Sequence, residues 1–94
     1  MMLDLQLSPQ AHEDLTQIWC YIARDNETAA TGLIDAIEAN WLLLREQPYA
    51  GMARPDIAPE IRHQVTRGFV SLYEVHSDAI VIIRVLDGRQ TILN

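Results

Sequence analysis

All seven basic residues of the chain are arginines, and six of them, Arg45, Arg54, Arg62, Arg67, Arg84 and Arg89, fall in residues 45–94. A guanidinium is a rigid fork that suits fixed, two-pronged contacts to carboxylate or phosphate better than diffuse attraction. Glu60, His63 and His76 stand among these arginines and could exchange protons. Such a set contains the parts for RNA scission by the 2'-hydroxyl: a base for that proton, an acid for the leaving oxygen, and cations for the developing charge. However, no carboxylate or cysteine stands at a recognisable fixed spacing to His63 or His76, so both read first as strand residues. His12 reads as a solvated helix residue. Arg62, Arg67 and Arg84 equally suit pairing with acids across a sheet, or docking to carboxylates on another protein.

The charge balance weighs against nucleic acid. The formal net charge is -6, and all of it arises in residues 1–44, where Arg24 faces Asp4, Glu13, Asp14, Asp25, Glu27, Asp35 and Glu38. An acidic chain repels phosphate backbones at long range, so direct nucleic-acid binding is not expected. The single cysteine, Cys20, can form no internal disulfide and has no second thiol for a metal site, and no cofactor is expected. Met1-Met2-Leu3-Asp4 lacks the charged start and apolar run of a signal peptide. No apolar stretch approaches the roughly 18 residues that span a bilayer, so the expected location is cytoplasmic. Ninety-four residues suffice for one modest core, and a single domain over 1–94 is expected.

The elements that must position these residues follow from periodicity. Leu3, Leu5 and Leu7 alternate with polar residues, as in a half-buried strand. Ser8-Pro9 predicts an N-cap and first helical residue, with Glu13 and Asp14 placed to favour the positive helix start. Ala11, Leu15, Ile18, Trp19 and Ile22 then form one apolar stripe. After the polar break at residues 24–27, Asn26 caps a second helix, with Ala29, Leu33, Ile37, Trp41 and Leu44 on one face and Pro48 close beyond its end. So short a break predicts an antiparallel helical hairpin. Leu42 and Leu43 widen its apolar surface beyond one stripe, more than an internal core needs. Residues 48–60, with three prolines and Gly51, predict a loop against the body, and 61–67, 69–76 and 79–86 predict three antiparallel strands. The fold class expected is therefore α+β: strand, helical hairpin, three-stranded antiparallel sheet.

The last strand is apolar on both faces. Simple alternation puts Ile80, Ile82 and Leu86 on one side and Val81, Ile83 and Val85 on the other. Two helices can cover only one side, so either the sheet curls onto itself or a partner covers the rest.

Spread over nearly the whole chain, the residues resemble the RelE/ParE toxin superfamily, and within it the ParE branch. Leu7-Ser8-Pro9-Gln10-Ala11 with Asp14-Leu15 and 18–23 is similar to the family's first helix, and Asp25-Asn26, Ala29-Ala30 and Ile37-Glu38 to its second. Pro48, Gly51, Arg54-Pro55, Ile61-Arg62, Gly68-Phe69-Val70 and Tyr73 resemble its middle, and 82–86 with Gly88-Arg89 its end. The resemblance implies a toxin of a type II toxin-antitoxin system, not an enzyme, that inhibits DNA gyrase and is neutralised by a cognate, ParD-like antitoxin. The surfaces expected to meet the antitoxin carry Trp19, Trp41, Leu42, Arg62, Arg67, Tyr73, Ile82 and Arg84, and those expected to meet the target carry Arg84, Asp87 and Arg89. RelE-type relatives instead cut messenger RNA on the ribosome, but the basic residues and terminal tyrosine or histidine of that branch have no counterpart in 87–94. Asp87 stands where many ParE-type members carry histidine, and the chain is acidic where they are basic. A non-toxic homologue that still binds an antitoxin is the third reading.

Overall fold

The computed structural model describes residues 2–89. Its elements run β1 (Asp4–Leu7), α1 (Pro9–Ala23), α2 (Glu27–Leu44), β2 (Met52–Ala53), β3 (Ile61–Thr66), β4 (Phe69–Val75) and β5 (Ala79–Asp87). Both helix starts follow from their caps. Ser8 Oγ accepts from the Ala11 N–H, and Asn26 Oδ1 accepts from the Ala29 N–H, each satisfying a donor that the first turn leaves unpaired. Glu27 lies in the first turn of α2, where the helix dipole favours it. Only Arg24, Asp25 and Asn26 separate the helices, and these fold back on each other as the hairpin expected.

The sheet has five strands in the order β1-β5-β4-β3-β2. The predicted antiparallel set, β3, β4 and β5, forms its centre. Two further strands extend it. β1 pairs in parallel with β5, Leu5 opposite Ile80 and Leu7 opposite Ile82, so the helical hairpin and the antiparallel strands all lie between two neighbours in the sheet. β2 emerges from the supposed loop, pairing Met52 with His63 and Ala53 with Arg62. One sheet face packs on the helices: Ala11, Leu33, Ile37, Trp41 and Leu44 meet Tyr73, Ile80, Ile82 and Val85. The buried Trp41 Nε1–H donates to Ser71 Oγ at 2.8 Å, so the ring is packed without leaving its polar atom unpaired.

The alternation expected for β5 does not hold along its whole length. Leu72 pairs with Arg84 but Tyr73 pairs with Ile82, which leaves Ile83 as an extra residue in a bulge. One inserted residue reverses every later side chain. Val85 therefore joins Ile80 and Ile82 against the helices, while Ile83 and Leu86 pack with Ile61, Val70 and Leu72 on the far face. Ala58 of the 54–60 loop also packs there, and Ile61, Val70 and Leu72 are buried. Part of the far face is thus covered within the chain, by the 54–60 loop, while Val65 on the same face stays exposed.

Candidate protein-docking site

The bulge is held by α1. β1 ends at Leu7 because Pro9 starts the helix, so among the described residues no strand lies beside the edge of β5 beyond Ile82. Side chains of the incoming segment take over. Ser8 N–H donates to Ile82 O, Ser8 Oγ donates to Ile83 O at 2.7 Å, and Asp14 Oδ2 accepts from the Val85 N–H at 2.9 Å. The same Asp14 carboxylate receives Arg84 Nε at 2.8 Å and Nη2 at 3.2 Å, a two-pronged pair. Burial pushes the Asp14 carboxyl up, but the bonds from Arg84 and from the Val85 N–H, together with the Arg84 charge and Gln10, outweigh it and hold the group below its ordinary range.

This corrects one expectation and realises, with an acid on α1, the pairing that Arg84 equally suited. Asp14 is not a solvated acid at the helix start; it is buried and serves the sheet edge, and the first turn of α1 holds no acid. Arg84 is anchored within the chain. The signal for Asp14 lay in its spacing: three residues after Ala11 and four before Ile18, it sits on the apolar stripe, where a carboxylate requires a partner.

Beside this lock, α1 and the end of β5 enclose an open groove of about 540 Å³. Ile18, Ile22, Phe69, Val85 and Leu86 provide apolar walls, and Tyr21, 72% exposed, stands at its side. Asp87 and Arg89 also line it, tied together: the Asp87 carboxylate accepts from the Arg89 N–H, Nε and Nη2 at 2.9–3.0 Å. These bonds from Arg89 hold the Asp87 carboxyl below its usual range, so its charge is matched inside the chain. Gly88 is required here, because its N–H donates to Gly68 O and a Cβ would lie 2.7 Å from that oxygen.

The other expected contact residues are dispersed. Trp41, Tyr73 and Ile82 are interior, at 1%, 0% and 0% exposure, and present no surface to a partner. Tyr73 is a structural anchor: its hydroxyl donates to Pro48 O at 2.8 Å and accepts from the Gly51 N–H at 3.0 Å. Arg62 is spent on the same loop, donating to Gly51 O and Tyr49 O and lying over the Tyr49 ring. Trp19 is half-buried and bridges the hairpin through Nε1–H to Thr31 Oγ1. Leu42 and Leu43 are exposed on α2, as their extra apolar surface implied, and Arg67 is exposed in the β3–β4 turn. The groups suited to RNA scission are separated. Glu60 and Arg62 share a shallow hollow of about 200 Å³ that no histidine lines, whereas His63 faces Arg54, His76 faces Glu74 and Arg84 faces Asp14.

The model of the ParE toxin of type II toxin-antitoxin systems, parDE, matches residues 5–92. The chain belongs to the ParE toxin family. A solved structure described as the chromosomal ParDE TA system from P. aeruginosa superposes with a TM-score of 0.77 at 22% identity, covering 92% of this chain and 96% of that one. At that identity the likeness is one of fold, and the ParE fold is what the α+β architecture above is. No curated protein matches the sequence at the stringency applied. Among the described residues no helix is long and apolar enough to cross a membrane.

Proposed function

We propose that this ParE-family chain is the toxin of a toxin-antitoxin pair in the cytoplasm, that it acts by binding protein and not by catalysis, that it inhibits DNA gyrase, and that a cognate ParD-like antitoxin neutralises it. The observation that carries the reading is the family match over residues 5–92. The site is in keeping with it: the α1–β5 groove offers apolar walls and arginines already oriented by carboxylates, features that suit a protein segment. The antitoxin would lie along this groove and over Trp19 and Leu42, with Arg67 at its margin. The target would meet the Arg84, Asp87 and Arg89 end of β5. Arg62, Trp41, Tyr73 and Ile82 would serve both partners indirectly, by holding the surfaces in place.

The test is a gyrase supercoiling assay with the purified chain, beside induced expression in cells. Inhibition of supercoiling, relieved by the protein encoded in the adjacent reading frame, is expected. Unaffected supercoiling and DNA synthesis would sink the target assignment. Transcripts cut in translating extract, with loss of cutting on Arg62→Ala, would replace it with RNA scission.

A further inference from the structure

The 54–60 loop is organised around one arginine. Arg54 N–H donates to Ile61 O at 2.8 Å, Arg54 O accepts from the Ile57 and Ala58 N–H groups, and Ile61 N–H donates to Ala58 O. Its guanidinium binds Asp56 through Nε at 2.9 Å and Nη2 at 2.6 Å, and Nη1 lies 3.1 Å from His63 Nδ1. An arginine has only donors, so Nδ1 must accept, and the His63 proton resides on Nε2. A second ring proton would turn that acceptor into a donor facing a donor and set two cations side by side.

We propose that Arg54 and His63 form a proton-sensitive latch, which holds the 54–60 loop over the far face of the sheet when His63 is neutral and releases it when His63 is protonated. Among the described residues, the neighbours of the His63 ring on the adjacent strands are uncharged or already engaged. From β2 and β4 the register sets the uncharged Met52 and Leu72 beside His63. Glu74, farther along β4, is engaged by His76, and Arg84, beyond Leu72 on β5, is engaged by Asp14. Among the described residues the charges acting on the ring are those of Arg54 and Asp56, and Asp56 opposes release. Burial first, then Arg54, holds the imidazole below its ordinary pKa, in keeping with the geometry. Release frees Ala58 from Ile61, Val70 and Leu72, so acid uncovers part of the apolar cluster behind the sheet.

Amide hydrogen exchange of the whole chain tests this, each rate divided by that of an unstructured peptide at the same pH. If the open loop carries a histidine of ordinary pKa, about 6.5, opening at Ile57, Ala58 and Ile61 rises up to roughly tenfold from about pH 7.5 to about pH 5.5. His63→Gln, which keeps an acceptor at every pH, abolishes the rise, and His76→Gln retains it. A flat profile in the wild type, or a rise that survives His63→Gln, overturns the latch. A ring nitrogen spectrum of the wild type supplies an independent reading: a proton on His63 Nδ1 near neutrality also overturns it.

Discussion

Replacing Asp14 by alanine removes the acceptor of the Val85 N–H at the β5 edge and the partner of Arg84. The magnitude follows from what each partner can recover. The Val85 N–H is buried, and an orphaned buried donor costs about 1–3 kcal/mol. The Arg84 side chain is 37% exposed, so water replaces much of what its carboxylate supplied, and that share is discounted to about 1 kcal/mol. Asp14→Ala is therefore expected to cost about 2–4 kcal/mol, roughly 10–25 °C in Tm for a domain of this size. Asp14→Asn retains an acceptor for Val85 and loses the charge, and its expected cost is about 1–2 kcal/mol. Arg84→Ala leaves a carboxylate only 7% exposed with its charge unpaired, and the Asp14→Ala/Arg84→Ala double variant should cost less than the sum of the singles by about 1 kcal/mol or more. Urea unfolding followed by tryptophan fluorescence measures all four, since Trp41 is buried in the same core. Strict additivity, or an Asp14→Ala cost within about 0.5 kcal/mol of zero, would refute the lock, because such values belong to uncoupled surface positions.

The same carboxylate sets an acid limit. Its pKa is lowered on folding, so its contribution is complete above the unfolded value of 3.8 and is lost as pH falls through the lower folded value; acid melts should show wild type converging on Asp14→Asn below that range. Gly51→Ala places a methyl group against Tyr73 Oη and His63 O, and Tyr73→Phe orphans the buried Gly51 N–H; each should lower stability by about 1–3 kcal/mol in the same urea assay. The β3–β4 turn has two residues, Arg67 at φ 49° and Gly68 at φ 84°, the signs of a tight hairpin turn that favours Asn-Gly. Arg67→Asn should therefore raise stability by about 0.5–1 kcal/mol, and a fall in Tm would contradict the turn assignment.

What could be read from the residues was whatever depends on neighbours in the chain. Ser8-Pro9 and Asn26 mark their helices because capping is a contact over three residues, and Leu3, Leu5 and Leu7 mark a strand because alternation is local. The resemblance to ParE toxins was legible for a related reason: it is carried by residues spaced along nearly the whole chain. The candidate site was less so. Leu42 and Leu43 showed their exposure in the excess of apolar residues on α2, whereas Trp41, Tyr73 and Ile82, equally apolar, proved interior, since burial depends on which element arrives opposite.

Tertiary structure decided the rest, at long range. The parallel pairing of β1 with β5, the two-residue β2 and the bulge at Ile83 are each stabilised by bonds between residues far apart in the chain, such as Ser8 to Ile83 and Asp14 to Val85. No periodicity records such a bond. The bulge then reverses Val85 and Leu86, so a contact made by a helix residue some 70 positions away determines which face of the last strand meets the core. Arginine identity announced fixed pairing from composition alone; only the folded chain assigned Arg84 to Asp14, Arg62 to the Gly51 carbonyl and Arg89 to Asp87.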